Sequence, residues 1–349
     1  ASAAAEALSY PSAPTANVVD TYHGKKVAAP YRPLEDVDSA RTRAWVEANQ
    51  AIADEYLRSL PGRDILQSRL EEIWDQPRYG VPDTVAGGRY FTRNDGLQAQ
   101  SVLYREPLSG GPREVVLDVN QLSEDGTTAL KSWEVSPDGR YLAYGVTEAG
   151  EDWTQIRVRD VARGTDQTQT LGDIKFSSIA WTANGKGFFY ARYPRKEGTF
   201  DNLQGQTIWY HRVGTEQATD VRVFHHPEKP KRNYWVQVDD SGRWMLVSVY
   251  DGASDRNQLW VRDLGRSGDP QLFGPRRLLV RGFASQNQPI GVLDDVLYVL
   301  STADAPRGQI RAIDLTKPNA QWITIVEQSE DTLRGATAVS YTHLRAHET

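Results

Sequence analysis

The sequence predicts an all-β propeller of about five four-stranded blades, preceded by an N-terminal α-helical arm. Three observations predict it. Helical periodicity is confined to residues 36–79 and then gives way to short β runs separated by turn signals. A glycine turn followed by an aromatic-rich run recurs along the remainder, with Gly88, Gly139, Gly185 and Gly242 standing 51, 46 and 57 residues apart. A period of roughly 50 residues with several strands per unit marks propeller blades, whereas a β-sandwich with chance turns has no reason to keep the spacing. Ten tryptophans among 349 residues fit the same architecture, because blade faces pack through large flat side chains.

The elements follow in chain order. Ala1-Ser2-Ala3-Ala4-Ala5-Glu6 has the small residues found around a signal-peptidase cut. Residues 1–17 are therefore read as a flexible leader left after processing, which implies a periplasmic or secreted protein, with a cytoplasmic one as the alternative. Residues 18–79 form the helical arm. Asp38 or Ser39 can cap a helix whose Trp45, Ile52 and Tyr56 recur on one face, and Pro61-Gly62 breaks it. A second helix presents Ile65, Leu66, Leu70, Ile73 and Trp74, and Pro77 stops it.

Residues 80–338 carry the blades. Gly88-Arg89-Tyr90-Phe91 returns as Ser136–Tyr144, as Asn184–Tyr190 and as Asp240–Leu246, with a degraded copy at Asp294–Val299. Each copy is followed by a second alternating run, at 100–105, 154–159, 207–212, 258–263 and 309–314. Asp-Gly and Asn-Gly supply the positive φ that tight hairpins need. Residues 339–349 break the pattern and read as a translated adapter, a non-native tail. Within it His343 and His347 have the spacing of a helical zinc pair, but Leu344 stands where that motif needs glutamate, so no metal is assigned.

Composition excludes several function classes. Acidic residues outnumber basic ones 46 to 40, which argues against nucleic acid as a partner. No apolar run approaches the roughly 18 residues of a membrane span. With no cysteine there is no disulfide, thiolate zinc site or cysteine nucleophile. A nucleophile elbow needs Gly-x-Ser-x-Gly, and the nearest stretch, Gly265-Arg266-Ser267-Gly268-Asp269, lacks the last glycine, so Ser267 reads as a turn serine. His225-His226 begin a Pro-rich connection and read as loop histidines. Glu148, Glu151 and Asp152 form an acidic cluster after a hairpin, and a glycosidase would need two such carboxylates about 5–9.5 Å apart.

The motifs Tyr22-His23-Gly24, Pro30–Asp36, Asn94–Tyr104, Leu122–Leu130 and Lys175–Thr182 resemble those of the prolyl oligopeptidases, over residues 18–338. Pro33 and Ala29 depart from the family pattern in the N-terminal docking segment. The resemblance implies a serine endopeptidase that cleaves short peptides after proline with a Ser–His–Asp triad, its α/β-hydrolase domain capped by a seven-bladed propeller. On that reading the chain holds about five of the seven blades, and the hydrolase domain, on which the helical arm would pack, is absent from it. No catalytic residue is assigned in this chain, which should be inactive alone. The resemblance assigns two substrate-binding positions: Phe176 as an aromatic wall for residues upstream of proline, and Asp152 in a polar network near the peptide's amino end. Tyr250 and Ala253 replace an arginine and a cysteine of the family pattern, which puts the usual partner of Asp152 in doubt. His23, within Tyr-His-Gly, is read as fixing the arm.

The function read from the sequence is thus the N-terminal portion of a prolyl oligopeptidase whose propeller gates the active site. A stand-alone propeller binding module and a propeller glycosidase are the alternatives. The partners expected are short proline-containing peptides, met through the missing hydrolase domain, with no nucleic acid, no membrane and a monomeric full-length protein. No metal or organic cofactor is implied.

Overall fold

The structure, a computed structural model, describes residues 8–194, 203–266, 268–339 and 343–348. It divides into two compact units, Ala1–Gln76 and Pro77–Thr349.

The first unit begins with an antiparallel pair, Val19–Tyr22 with Lys25–Ala28, turned by His23 and Gly24 at positive φ. Helix α1, Ala40–Ser59, starts where Ser39 accepts a hydrogen bond from the Thr42 N–H, satisfying one of the orphan donors of the first turn. Thr42 is its buried residue and donates to the Pro33 carbonyl, while Trp45 donates its indole N–H to Pro11. Gly62, at φ +83°, reverses the chain into helix α2, Arg63–Trp74. The apolar face of α2 is bare: Ile65, Leu66, Leu70 and Ile73 are 51–76% exposed.

Among the described residues of the second unit, five antiparallel sheets follow one another, the propeller that the turn spacing implies. The first is built on Gly88–Asn94, Val102–Pro107 and Glu114–Leu117. Its inner edge is shared by Arg78–Tyr79 and Asp83–Val85, both paired with Gly88–Asn94. The second comprises Ala129–Val135, Tyr141–Thr147, Thr154–Asp160 and Thr165–Ile174. The third comprises Ile179–Trp181, Gly187–Arg192, Thr207–Arg212 and Val221–Phe224. The fourth comprises Arg232–Val238, Trp244–Asp251, Asn257–Asp263 and Arg276–Val280. The fifth comprises Asn287–Leu293, Val296–Ser301, Gln309–Asp314 and Ile323–Val326. A further pair, Leu333–Val339 with His343–Glu348, packs against the inner strand of the fifth.

The second strands of the second, third and fourth blades are apolar on both faces because both faces are buried. Leu142, Tyr144 and Val146 face Tyr90 and Leu103 of the first blade, while Ala143 between them faces the third blade's Phe188 and Tyr190. One blade on, Phe189 and Ala191 face Tyr234, Met245 and Val247 of the fourth. Leu246 and Trp244 then meet Leu297 and Val299 of the fifth. The core is a series of inter-blade layers.

Not all tryptophans serve that packing. Trp181 and Trp244 are buried between blades, but Trp153 and Trp235 are exposed on the propeller, and Trp74 is exposed on α2. The first two of these exposed rings lie at a blade end and on an inner-edge strand.

With four antiparallel strands per blade, the loops sort to two ends. Hairpins joining first to second strands lie at one end. The connections from second to third strand, and from one blade to the next, lie at the other, here called the handover end. At the hairpin end successive turns touch. Gly139, Gly185 and Gly242 all have positive φ, and a Cβ on each would lie 2.8 Å from Ala86, 3.1 Å from Asp138 and 2.2 Å from Ala183 respectively. At Gly139 and Gly242 the glycine is therefore required twice, by its own turn and by the turn of the preceding blade. The turn at Asp294 and Asp295, both with positive φ, uses charge in place of glycine. Arg243 bridges Asp263 at 2.8 Å and Asp295 at 2.9 Å, and the Trp244 indole N–H donates to Asp295.

Candidate functional site

The handover end of the second and third blades collects the chemistry. Asp152 and Trp153 lie between the second blade's middle strands, and Lys175 and Phe176 lie where that blade passes to the third. The structure brings the two predicted positions together through a residue that the sequence did not single out. Lys175, largely enclosed, places Nζ 3.2 Å from the Asp152 carboxylate, 5.6 Å from the centre of the Trp153 ring and 5.3 Å from that of Phe176. The cation paired with Asp152 thus comes from position 175 and not from position 250.

Phe176 is 56% exposed, so it is not blade core. Its φ is +54°, and that of Asp173 nearby is +59°. A left-handed conformation costs a non-glycine residue about 1–2 kcal/mol and persists only where its surroundings impose it. Here the surroundings are visible. Buried Gln206 donates to the carbonyls of Lys175 and Phe176 at 3.0 and 3.3 Å, while its own oxygen accepts from the Tyr234 N–H at 2.6 Å. Ser177 Oγ receives the Ala191 N–H, and Ser178 Oγ donates to the Val236 carbonyl. The segment 175–178 is fixed to two blades by buried polar groups, and it holds an aromatic ring out into solvent.

A cleft of about 440 Å³ opens beside it, lined by Tyr193, Gln206, Trp209, Arg192, Arg222 and His226 among others. Tyr193 joins the two features, since its ring meets Trp153 edge-on at 6.2 Å and its hydroxyl donates to Asn233. Burial pushes the Tyr193 hydroxyl up to about 12, so it stays a neutral donor. His226, expected as a plain loop histidine, is half-buried beneath the Tyr234 hydroxyl. Burial and the positive charge of Arg232 lower its pKa.

Other titratable groups serve the blades. In the third, buried His211 and Asp220 lie 2.8 Å apart, and the Tyr190 hydroxyl donates to the same carboxylate at 2.6 Å. In the second, the Tyr144 hydroxyl donates to Asp166. Glu134, on an inner-edge strand, is raised to about 7 by loss of hydration and by the negative charge of Asp83. Glu148 and Glu151 lie in an exposed turn. Ser267 falls outside the described residues. Among the described residues no three or more His, Asp or Glu gather as a metal ion would require, and no helix is long and apolar enough to cross a membrane.

Comparison with known proteins decides the family. The model of the prolyl oligopeptidase N-terminal β-propeller domain matches residues 10–349. The chain belongs to the prolyl oligopeptidase family. It is 35% identical over 340 residues to a prolyl endopeptidase of Elizabethkingia meningoseptica, covering 96% of this chain and 47% of the relative. It is 32% identical to prolyl oligopeptidase A of Amanita bisporigera, covering 88% and 45%. Among solved structures, prolyl oligopeptidase B of Galerina marginata, bound to a 35mer hydrolysis and macrocyclization substrate, superimposes with a TM-score of 0.81 at 28% identity. That match covers 97% of this chain and 50% of the other. A structure from work on two prolyl endopeptidases and their inter-domain dynamics gives 0.73 at 32% identity, covering 97% and 48%. The chain spans about half the length of the prolyl oligopeptidases it matches.

Proposed function

We propose that this chain is the peptide-facing propeller portion of a serine endopeptidase that cleaves short peptides after proline, and that the propeller limits access to a catalytic domain carried by the rest of the protein. The observation that carries the reading is Phe176: an exposed aromatic ring on a strained backbone, fixed by Gln206 and flanked by Lys175 and Trp153. Strain maintained by buried polar groups marks a position kept for contact with a ligand. Phe176 offers a flat apolar wall to residues upstream of the proline. Asp152, neutralised by Lys175, orients Lys175 rather than presenting an unpaired carboxylate to the peptide's amino end. The bare face of α2 is the surface that would pack on the catalytic domain.

Similarity over nearly the whole chain to prolyl endopeptidases supports this reading. It is tested in the protein that carries this chain continuous with the rest of its reading frame. Phe176→Ala should raise KM for a four-residue proline substrate about tenfold, the loss of one well-buried apolar contact, and leave a minimal Gly-Pro chromogenic substrate nearly unaffected. Equal effects on the two substrates, or none, would remove Phe176 from the peptide path.

A further inference from the structure

The cleft beside Phe176 contains a row of side chains that the reading above does not use. In the third blade Trp209 pairs directly with Arg222 on the outermost strand and with Tyr190 on the inner side, and Arg192 follows two residues after Tyr190. Arg192, Trp209 and Arg222 therefore stand on one face of three neighbouring strands, and all three line the cleft. The Arg192 guanidinium lies 4.1 Å from the centre of the Trp209 ring. Stacking on the ring occupies the flat face of a guanidinium and leaves its N–H edge free for an acceptor.

These arginines differ from those that the propeller holds in ion pairs. Arg105, Arg159 and Arg243 each sit on a carboxylate. Neither Arg192 nor Arg222 pairs with one among the described residues, although Asp173 lies on the same cleft wall. Burial, then Arg222 and Arg276, lower the pKa of His225, so the positive charge here at neutral pH belongs to the guanidiniums. The cleft is also continuous with the Phe176 segment. Gln206 lines it and binds the Phe176 carbonyl, and Tyr193 lines it and touches Trp153.

We infer that the Arg192–Trp209–Arg222 row is a carboxylate-binding subsite, taking an acidic side chain of the peptide upstream of the residue that meets Phe176. The inference rests on the reading of Phe176 as a peptide wall. A planar guanidinium accepts a carboxylate through two parallel hydrogen bonds, and the ring beneath holds it in place without a competing charge.

The test measures, in the protein that carries this chain continuous with the rest of its reading frame, how tightly two capped peptides compete with a chromogenic proline substrate: acetyl-Glu-Glu-Ala-Phe-Gly-Pro-amide and its Gln-Gln counterpart. The glutamate peptide should bind about tenfold more tightly, the margin of one charge-assisted hydrogen-bonded contact. Arg192→Gln with Arg222→Gln should abolish that margin and leave the affinity for the glutamine peptide unchanged, which also shows that the variant is folded. Arg163→Gln, the same kind of charge loss at the hairpin end, should leave the margin intact. Equal binding of the two peptides overturns the subsite while the Phe176 reading stands. A margin that Arg163→Gln reduces as much assigns it to net charge and also overturns the subsite. Binding of neither peptide overturns both readings.

Discussion

Gly242→Ala should destabilise the propeller well beyond the cost of its backbone angle. At φ +71° an alanine is in the left-handed region, costing about 1–2 kcal/mol. The new Cβ would also lie 2.2 Å from Ala183 Cβ, 3.1 Å from its Cα and 3.2 Å from its N. Those atoms belong to the third blade's own turn, so no flexible tip can swing aside. Separating the carbons to the ~3.5–4.0 Å of an ordinary contact must move one turn against the other. Overpacking of this kind costs about 1–3 kcal/mol, for a total of about 2–5 kcal/mol. Gly252 is the control: its φ is +62° and a methyl group there would have nothing within 4 Å, so Gly252→Ala should cost only the backbone term, about 1–2 kcal/mol. Urea unfolding followed by tryptophan fluorescence, at low protein concentration, measures both. Ala183→Gly should restore part of the loss in the Gly242→Ala background, a coupling of about 1 kcal/mol or more. Equal losses for the two alanine variants, or no restoration, would refute the account of touching turns.

Three further outcomes follow from the same structure. Glu134 is held at about 7, above the roughly 4.3 of an unfolded chain, so the native state binds its proton more tightly and loses stability as pH rises through that window. Glu134→Gln should therefore melt with the wild type at pH 4 and above it at pH 8, and identical melting at pH 8 would contradict this. Burial alone would raise Asp295, but the Trp244 hydrogen bond and the guanidiniums of Arg243 and Arg266 outweigh it and hold its carboxyl below the usual range. Its contribution is thus present above the unfolded value of about 3.9 and lost as pH falls through the lowered folded value, so Asp295→Asn should cost about 1–2 kcal/mol near neutral pH and progressively less in acid. A loss independent of pH in denaturant titrations would count against the charge network. This chain alone should not turn over a Gly-Pro chromogenic substrate, and turnover above blank by material free of contaminating peptidase would defeat that expectation.

The blades were legible because their determinants are local and repeated. The glycine turns, the aromatic runs and their spacing each follow from strand geometry, and the second runs at 207–212 and 309–314 coincide with observed strands. What period and composition could not reveal was which turns touch, since the contact of Gly242 with Ala183 joins residues of different blades. The copy at Asp294–Val299 looked degraded because it lacks glycine, yet Arg243 and Trp244 hold its aspartate from the preceding blade. At the site, Phe176 and Asp152 came from a resemblance, and the residues joining them did not. Lys175 is adjacent to Phe176 in the same motif, and a cation beside an aromatic wall was the available signal. Gln206 and Tyr193 gave none, because their roles depend on strand register and inter-blade packing. The tryptophan count was sound for Trp181 and Trp244 but merged them with Trp153, whose ring belongs to the exposed cluster.

The most direct test of the central claim, that the handover end meets the peptide, is hydrogen exchange of the protein that carries this chain continuous with the rest of its reading frame, with and without acetyl-Ala-Phe-Gly-Pro-amide. The account predicts slowed exchange at residues 152–154, 175–178 and 206, with the hairpin-end turns at 138–140, 184–186 and 241–243 unchanged. Slowing confined to those turns, or none at either end, would contradict it.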